Sequence, residues 1–475
     1  MSRKRRAMIA AVGAALSAQF ASAAGMSESI DAILRDPYLK NVEVGIQIVR
    51  LGDKPGAGET LYEHNATRPF TPASNLKLVT TAAALEGLGR DFAFRTVLAR
   101  KGDALALIGD GDPALGDAEL LRMTSGGTST AMFDAWAKAL AGRGVAGVKM
   151  LILDASVFDG QYVHPDWPAD QLQKRYVAGV AGLNFNANCL DFYIKPGARG
   201  TIAPYVQDPP AAYGPPIENK CVSGETNAVW LSREIGSDSI VLRGKIDRAN
   251  EEPISVTVGH PPKLAGAALA DALRKSGVAH SEVALDEQHV NLADGWEVLA
   301  IHETRLSDVL WRANKDSMNL YAEAMCKRLG AHSSKQPGSW ENGTAAVGAF
   351  LKSIGVPADQ FKLVDGCGLA RGNRVSPATL IRVLEHEAVG PNADAYLASL
   401  AVAGVDGTLK TRFTRGGGEK VIGKSGFIDG VSSLSGFAVD GQGRRVAFSI
   451  LFNGIDKGTN SKAKAVQEQI VRAIK

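Results

Sequence analysis

The chain has 475 residues, 45% of them hydrophobic and 22% charged, which is the composition of a globular protein about three average domains long. Such a composition excludes intrinsic disorder, collagen and coiled coil. Aromatic residues make up only 6% while 52 residues are glycine, which favours turns and close backbone approaches over a nucleic-acid-binding surface.

The N-terminus has the pattern of a secretory signal. Residues 3–6 are basic and precede an apolar stretch of about 14 residues, shorter than the roughly 20 that a membrane span needs. Ala21-Ser22-Ala23 is a small-residue cleavage site, so we expect residues 1–23 to be removed, leaving 49 basic against 50 acidic residues and a net charge of −1. We expect export, to the periplasm in a two-membrane bacterium, as a soluble or loosely membrane-associated protein without a transmembrane anchor.

The first elements after the signal are two strands and a helix. Residues 42–51 and 59–64 alternate apolar and polar side chains around a Gly/Pro-rich turn, which predicts an antiparallel hairpin. After Pro72, apolar residues recur at steps of three and four and predict a helix from Ser74 to about residue 88.

The middle of the chain, about residues 96–295, has strands and helices of its own. The pattern predicts strands at 104–108 and 148–154 and helices at 130–142 and 265–276. A Pro/Gly-rich part, 196–254, is expected to form a small nested β subdomain.

The C-terminal end predicts three strands, at 423–431, 433–439 and 445–452, and a closing helix at 461–474. The two N-terminal strands and these three would form one antiparallel sheet covered by helices, assembled from both ends of the chain. The middle segment is then an insertion into an α/β (α+β) domain.

Three short motifs carry candidate chemistry, and the first is S-x-x-K. Ser74 and Lys77 are spaced to place a hydroxyl and an amine on one face of a helix. Ser461 and Lys464 match the same pattern in the closing helix, so the pattern alone is weak evidence. Ser74 differs because it begins its helix, where unpaired N–H groups favour a developing negative charge, although a plain helix cap is the alternative.

The second motif is S-x-N. Ser317-Met318-Asn319 lies between predicted helices at 306–312 and 320–329, where a connecting loop can aim a hydroxyl and an amide into one cleft. A helix cap is again the alternative interpretation.

The third motif is K-S-G. Lys424-Ser425-Gly426 lies on a predicted strand, where glycine allows close approach and the lysine can meet a carboxylate. A second copy begins at Lys275 and ends an amphipathic helix, where a basic residue followed by Gly277 serves as a C-cap. Only the copy at Lys424 follows the S-x-N motif.

Metal and disulfide chemistry is weakly indicated. Export permits disulfides, and the pattern leaves open two bridges, one bridge or four thiols for Cys189, Cys221, Cys326 and Cys367. The cysteines lack zinc-site spacing, and His386-Glu387 lacks the second histidine of H-E-x-x-H. We expect no metal and no cofactor, and the absence of G-x-S-x-G excludes the usual α/β-hydrolase.

In their order, the three motifs resemble those of the penicillin-recognising serine acyl-transferases. The large insert between the first two is similar to the S13 family of D-alanyl-D-alanine carboxypeptidases, the penicillin-binding protein 4 type. Segments 109–115, 153–160, 365–369 and 430–436 also resemble family landmarks, so the resemblance covers most of the mature chain. The family commonly has Thr where Ser425 stands and Ser where Cys367 stands.

The resemblance implies a serine β-lactamase/transpeptidase-like fold with a large inserted segment. The catalytic domain would comprise residues 24–95 and 296–475, and the insertion residues 96–295. Ser74 would be the nucleophile and Lys77 its base, if burial and the nearby Lys424 lower the pKa of Lys77. Ser317 would relay a proton to the leaving amine.

The resemblance also implies a substrate-binding set. Asn319 would hold the substrate backbone or Lys77, and Lys424 and Ser425 would bind the terminal carboxylate beside Gly426. The N–H groups of Ser74 and Phe427 would form the oxyanion hole.

Peptidoglycan stem peptides are the substrates that the resemblance implies, with β-lactams as covalent inhibitors. A serine β-lactamase is the first alternative, although a class A enzyme is much shorter and uses a dedicated glutamate. A non-catalytic penicillin-binding scaffold or sensor is the second. The sequence leaves open the balance of carboxypeptidase and endopeptidase activity and the oligomeric state.

Overall fold

The computed structural model describes residues 25–124, 126–210, 217–233, 239–282, 289–414 and 421–474. The expected signal at 1–23 lies outside the described residues. Among the helices that are described, none combines the length and the apolar character needed to cross a membrane.

The strands, in chain order, are β1 Glu43–Arg50, β2 Glu59–His64, β3 Ala93–Lys101, β4 Ala104–Gly109, β5 Gly147–Asp154, β6 Cys189–Ile194, β7 Tyr205–Asp208, β8 Ile217–Ser223, β9 Ala228–Arg233, β10 Ile240–Ile246, β11 Ile254–Thr257, β12 Ala279–Glu282, β13 Glu297–Arg305, β14 Phe361–Lys362, β15 Arg374–Val375, β16 Ala401–Val402, β17 Ile422–Ile428, β18 Val431–Val439 and β19 Arg445–Asn453.

The α-helices are α1 Leu76–Leu88, α2 Ala118–Thr124, α3 Ala131–Gly142, α4 Pro261–Lys275, α5 Leu306–Lys315, α6 Asn319–Ser334, α7 Trp340–Ser353, α8 Pro377–Val389, α9 Ala393–Ser399 and α10 Asn460–Arg472, and residues 25–34 are also helical. Short 3-10 turns lie at Pro37–Leu39, Ala73–Asn75, Ala169–Gln171, Arg175–Val177, Asn186–Asn188, Ala358–Gln360 and Gly407–Leu409.

The chain forms two compact units. The first comprises the described residues within Met1–Ala83, Asn314–Ser317 and Gly348–Lys475, and the second those within Ala84–Ala313 and Met318–Val347. The sequence predicts domain boundaries near residues 95 and 295. The division into compact units does not test those boundaries, so they stay a prediction.

An antiparallel sheet from both chain ends organises the first unit, as the sequence predicts. Its strand order is β16-β17-β18-β19-β1-β2, and every neighbouring pair is antiparallel. The central strands β18 and β19 are buried along nearly their whole length, because both faces of the sheet are covered. Ile46 and Ile48 of β1 pack in one apolar core with Phe448 and Ile450 of β19 and with Ile470 of α10.

The second unit contains residues 96–295, which the sequence predicts to be an inserted segment. Its five-stranded sheet has the order β12-β5-β4-β3-β13, and two three-stranded sheets have the orders β11-β6-β7 and β8-β10-β9. The last of these lies within residues 196–254, where the sequence indicates a small β subdomain. Leu151 and Leu153 of β5, Phe133 of α3 and Leu269 of α4 share one buried core.

The structure corrects three local expectations. Ser74 lies in the 3-10 turn Ala73–Asn75, and the α-helix begins only at Leu76. The predicted strand at 423–431 ends at Ile428, because a turn containing Gly430 with φ of +83° separates it from β18. The sheet has an additional edge strand, β16, whose two residues are too few for a recognisable alternation.

The cysteines resolve one of the open alternatives. All four, Cys189, Cys221, Cys326 and Cys367, are buried and in the thiol form. Burial raises the pKa of Cys189 and that of Cys221, which suits small apolar core side chains and not reactive thiolates.

Candidate active site

Ser74 and Lys77 meet at the start of α1. Ser74 is half-buried in its 3-10 turn, while Lys77, one turn later, is completely buried. The Lys77 Nζ donates to Ser74 Oγ over 2.9 Å. The turn is entered through Ala73 at φ of +47°, a left-handed conformation that a non-glycine residue adopts only when its surroundings enforce it.

A loop from the C-terminal half of the unit supports Lys77. The Cys367 carbonyl accepts a second hydrogen bond from Lys77 Nζ, at 3.0 Å. Both carboxylate oxygens of Asp365 hold this loop by accepting from the backbone N–H groups of Gly368 and Ala370, at 2.7 and 2.6 Å. Asp365 therefore fixes the carbonyl that orients the candidate base.

Glycine is required where this loop approaches the Ser74 turn. Gly368 has φ of +88°, and a Cβ there would lie 1.9 Å from the Ala73 carbonyl oxygen. The loop and the turn can pack together only because this side chain is missing.

The second hydroxyl–amine pair joins the other two motifs. Lys424 of β17 is completely buried, and its Nζ donates to Ser317 Oγ over 2.8 Å and to the Ser425 carbonyl over 2.6 Å. Ser317 has φ of +61°, a strained conformation of the kind that clusters at functional sites. The geometry thus pairs each motif serine with a buried lysine.

The environment of Lys424 disfavours its charged form. Burial holds the pKa of Lys424 well below its ordinary range, and the nearby charge of Lys77 lowers this pKa further. The carboxylate of Asp316 acts in the opposite direction. Burial and the neighbouring Lys77 together favour the neutral amine at Lys424.

The S-x-N loop is anchored within the first unit. Asn314 Nδ2 donates to Ser399 Oγ over 2.9 Å and to Thr81 Oγ1 over 3.2 Å. Lys315 forms an ion pair with Asp406, whose other oxygen accepts from the Val402 N–H at 2.7 Å. These contacts fix the two residues that lead into the strained part of the loop.

Strand β17 lies directly against the Ser74 turn, beyond the two residues of β17 that pair with β16. A Cβ at Gly426 would lie 2.8 Å from the Ser74 backbone nitrogen, so only glycine permits this approach. Asn75 Nδ2 donates to the Lys424 carbonyl over 2.7 Å and ties the turn to the strand. Ser425 is half-buried and Phe427 is 49% exposed.

Asn319 belongs to the second unit. There its side-chain amide donates to the Tyr176 carbonyl over 2.7 Å at the start of α6. Its expected contact with substrate or Lys77 therefore stays a prediction.

The second copies of S-x-x-K, at Ser461, and of K-S-G, at Lys275, have the structural roles expected of them. Ser461 is exposed in the first turn of α10. Lys275 ends α4 and forms an ion pair with Asp271 over 2.5 Å, and Gly277 follows at φ of +79°. Neither motif copy has the buried hydroxyl–amine contact of Ser74 and Lys77.

Sequence reasoning missed the groups that position the motifs. These groups act through backbone contacts or through partners far along the chain, and they are the Cys367 carbonyl, Asn75, Asn314 and Asp406. Only the Cys367 segment carried a signal, as part of the 365–369 landmark. Chemically, the arrangement places a hydroxyl at a helix start beside two amines, which are the groups that nucleophilic catalysis with proton transfer requires.

Comparison with known proteins agrees with this geometry. The model of the D-Ala-D-Ala carboxypeptidase 3 (S13) family matches residues 26–475. A D-alanyl-D-alanine carboxypeptidase of Actinomadura sp. (strain R39) is 34% identical over 90% of this chain and 81% of its own.

The fold has counterparts among solved structures. Penicillin binding protein 4 (dacB) from Haemophilus influenzae superposes with a TM-score of 0.75 at 24% identity, covering 93% of this chain and 97% of that one. Its complex with a novel β-lactam covers the same shares of both chains, with a TM-score of 0.70 at 24% identity. The transpeptidase-like architecture expected from the sequence is therefore confirmed.

Proposed function

Since this chain belongs to the D-Ala-D-Ala carboxypeptidase 3 (S13) family, we propose that Ser74 is the nucleophile of a serine-type D-Ala-D-Ala carboxypeptidase/endopeptidase. The observation that carries the assignment is the pair of buried contacts, 2.9 Å between Lys77 Nζ and Ser74 Oγ and 2.8 Å between Lys424 Nζ and Ser317 Oγ. The proposal concerns the roles of these residues.

Acylation begins when Ser74 Oγ attacks the carbonyl carbon of the penultimate D-alanine. Lys77 takes the hydroxyl proton as the general base, a role that requires the neutral form of its amine. The C–N bond then breaks, and a proton passes through the Ser317 hydroxyl to the leaving amine. The products of this step are an ester on Ser74 and free D-alanine or the released cross-link strand.

Deacylation runs the proton transfers in the opposite direction. A water molecule attacks the ester carbonyl and gives a proton to the neutral amine of Lys77. Ser74 Oγ recovers a proton as the ester C–O bond breaks. The N–H groups of Ser74 and Phe427 hold the oxyanion in both steps. The close packing of Gly426 on the Ser74 nitrogen supports this role, because it brings β17 to the nucleophile turn.

Substrate recognition is proposed for the other motif residues. The half-buried Ser425 donates its hydroxyl to the terminal carboxylate, and buried Lys424 adds positive charge from behind the strand. A carboxylate there favours the ammonium form of Lys424, so substrate binding itself raises the protonation of that amine. Asn319 holds the substrate backbone.

The wider setting is also a proposal. Peptidoglycan stem peptides are the substrates and β-lactams the covalent inhibitors, since a β-lactam complex exists for the Haemophilus relative. The basic start and Ala21-Ser22-Ala23 favour export to a periplasm, and N-terminal sequencing of exported protein should then begin near Ala24. Residues 24–95 and 296–475 form the catalytic domain in this proposal, with 96–295 inserted.

The decisive experiment is the intact mass after exposure to labelled penicillin, followed by peptide mapping. We expect one adduct on Ser74, lost in Ser74→Ala and retained in the matched control Ser461→Ala. Label retained by a folded Ser74→Ala variant would contradict the assignment.

The same sample separates the competing activities. We expect steady D-alanine release from a muropeptide ending in D-alanyl-D-alanine, or scission of a D,D cross-link, with a penicilloyl adduct that lasts for minutes or longer. Rapid penicillin hydrolysis without D-alanine release would indicate a β-lactamase. Neither acylation nor hydrolysis would indicate a non-catalytic scaffold.

A further inference from the structure

An exposed sheet face in the second unit carries basic and aromatic side chains that the catalytic motifs do not use. In the sheet β8-β10-β9, Lys220, Arg243 and Trp230 are register partners and form one row across three strands. Side chains directly opposite each other on a sheet lie about 5 Å apart on the same face. The face is therefore a contiguous surface.

A second row extends this face by one strand. Val222 lies opposite Lys245, and an isolated antiparallel bridge places Ile202 beside Val222. Trp230 is 50% and Ile202 54% exposed. The intervening residues of the same strands, such as Leu242 and Leu231, point to the buried side, which fixes the outward direction of the two rows.

The face has an excess of positive charge. Among the described residues of the two rows and their neighbours on β8, Lys220, Arg243 and Lys245 contribute three cations, against the carboxylate of Glu218, which pairs with Lys220 over 2.7 Å. Charges arranged on a flat surface attract an extended polyanion more than a small ligand.

The spacing of the apolar side chains argues against insertion into a bilayer. Ile202 and Trp230 lie on the two outermost strands of the face, about 14 Å apart at about 4.8 Å per strand. Lys245 and Arg243 occupy the strand between β8 and β9, so no continuous apolar patch forms. A single Trp with cations beside it instead suits a polymer that has both apolar ring faces and carboxylates.

We propose that this face binds peptidoglycan itself, with Trp230 stacked on a sugar ring and the cations paired with stem-peptide carboxylates. The proposal rests on the peptidoglycan substrate proposed above, and it adds a second contact to the same polymer. Such a contact raises the local concentration of scissile peptides at the active site. It predicts a difference between insoluble and soluble substrates.

The test measures co-sedimentation with purified sacculi in a Ser74→Ala background, which prevents digestion. The face variants are Trp230→Ala and the triple variant Lys220→Gln, Arg243→Gln, Lys245→Gln. The matched control removes three cations from the five-stranded sheet of the same unit, the exposed Arg95 and Lys149 and the half-buried Arg100, through the substitutions Arg95→Gln, Arg100→Gln and Lys149→Gln.

Each face variant is expected to bind sacculi at least about tenfold more weakly, while the control binds normally. Added salt should weaken binding of the unsubstituted face but barely affect the triple variant. Unchanged sacculus binding by both face variants would overturn the proposal. Loss of binding to anionic phospholipid vesicles, with sacculus binding intact, would also overturn it, in favour of a membrane contact.

Activity separates this inference from the catalytic proposal. With Ser74 restored, the face variants should turn over a soluble muropeptide at the normal rate but digest sacculi more slowly. If the unsubstituted protein binds sacculi through this face yet releases no D-alanine, the catalytic proposal fails and the binding face stands.

Discussion

Gly426→Ala tests how closely β17 must approach the proposed nucleophile, Ser74. The added Cβ would lie 2.8 Å from the Ser74 backbone nitrogen and 2.3 Å from Ser433 Oγ, against an ordinary contact of at least 3.4 Å. The Ser74 turn or the strand must therefore shift by about 0.6 Å. Ser433 Oγ can rotate away only by losing its hydrogen bond to the Pro72 carbonyl, and the backbone nitrogen of Ser74 cannot rotate at all.

The expected effect follows from the sensitivity of catalysis to position. A misplacement of about 1 Å can cost about 100-fold in rate, so a shift of about 0.6 Å should cost roughly 10- to 100-fold in kcat/KM. That range corresponds to about 1.4 to 2.7 kcal/mol of lost transition-state stabilisation. The loss should be seen in the acylation rate with labelled penicillin and in D-alanine release.

Gly423→Ala is the matched control on the same strand. Its Cβ would lie 2.4 Å from the Ser435 carbonyl oxygen, so it disturbs the pairing with β18 without touching the Ser74 turn. Both variants should lose thermal stability, but only Gly426→Ala should lose acylation beyond its unfolded fraction. Normal acylation by folded Gly426→Ala would refute the reasoning, and so would full rescue by adding Ser433→Ala.

Three further predictions follow from the geometry. Lys424→Ala should reduce kcat/KM about 100-fold or more. Lys275→Ala should change kcat/KM only a few-fold, because losing a lysine at a helix end costs the protein about 0.3 to 1 kcal/mol of stability. Equal effects of the two substitutions would mean that the wrong K-S-G copy was assigned to the site. Asp406→Asn should lower the acylation rate by about tenfold with little change in melting temperature, because its largely buried partner Lys315 leads into the Ser317 loop. Asp406→Glu should restore part of the rate. An unchanged acylation rate in Asp406→Asn would contradict the anchoring role. Burial raises the pKa of Asp112 to about 7, so this carboxyl group ionises in the unfolded chain at a lower pH than in the native protein. The native state should therefore lose stability from about pH 4 to 7 relative to Asp112→Asn. Melting temperatures of the two proteins that change in parallel with pH would contradict this.

Local sequence patterns were sufficient for the elements that assemble the catalytic sheet. Period-two alternation around a Gly/Pro-rich turn located β1 and β2 to within a residue. The strand pattern of the C-terminal end located β18 and β19 to within two residues. The two-residue strand β16 and the 3-10 turn at Ser74 are too short to leave a pattern. Their conformations are set by neighbouring backbone.

The motif residues were also identifiable from sequence, because S-x-x-K, S-x-N and K-S-G in one order constrain residue type, spacing and structural setting together. Ser74 and Lys77 are three residues apart, and their contact follows from helical geometry. The contact of Ser317 with Lys424 joins residues 107 positions apart, and the sequence did not predict it. The resemblance implied only that both residues belong to one site.

What the sequence determined by itself is local: which segments alternate, where a helix begins, and which residues carry hydroxyls and amines. Tertiary structure alone decided that the Cys367 carbonyl orients Lys77, that Gly426 must lack a side chain, and that the four cysteines stay thiols. These outcomes depend on backbone atoms that every residue type shares, so their positions are fixed by packing between distant segments and leave no pattern in the chain.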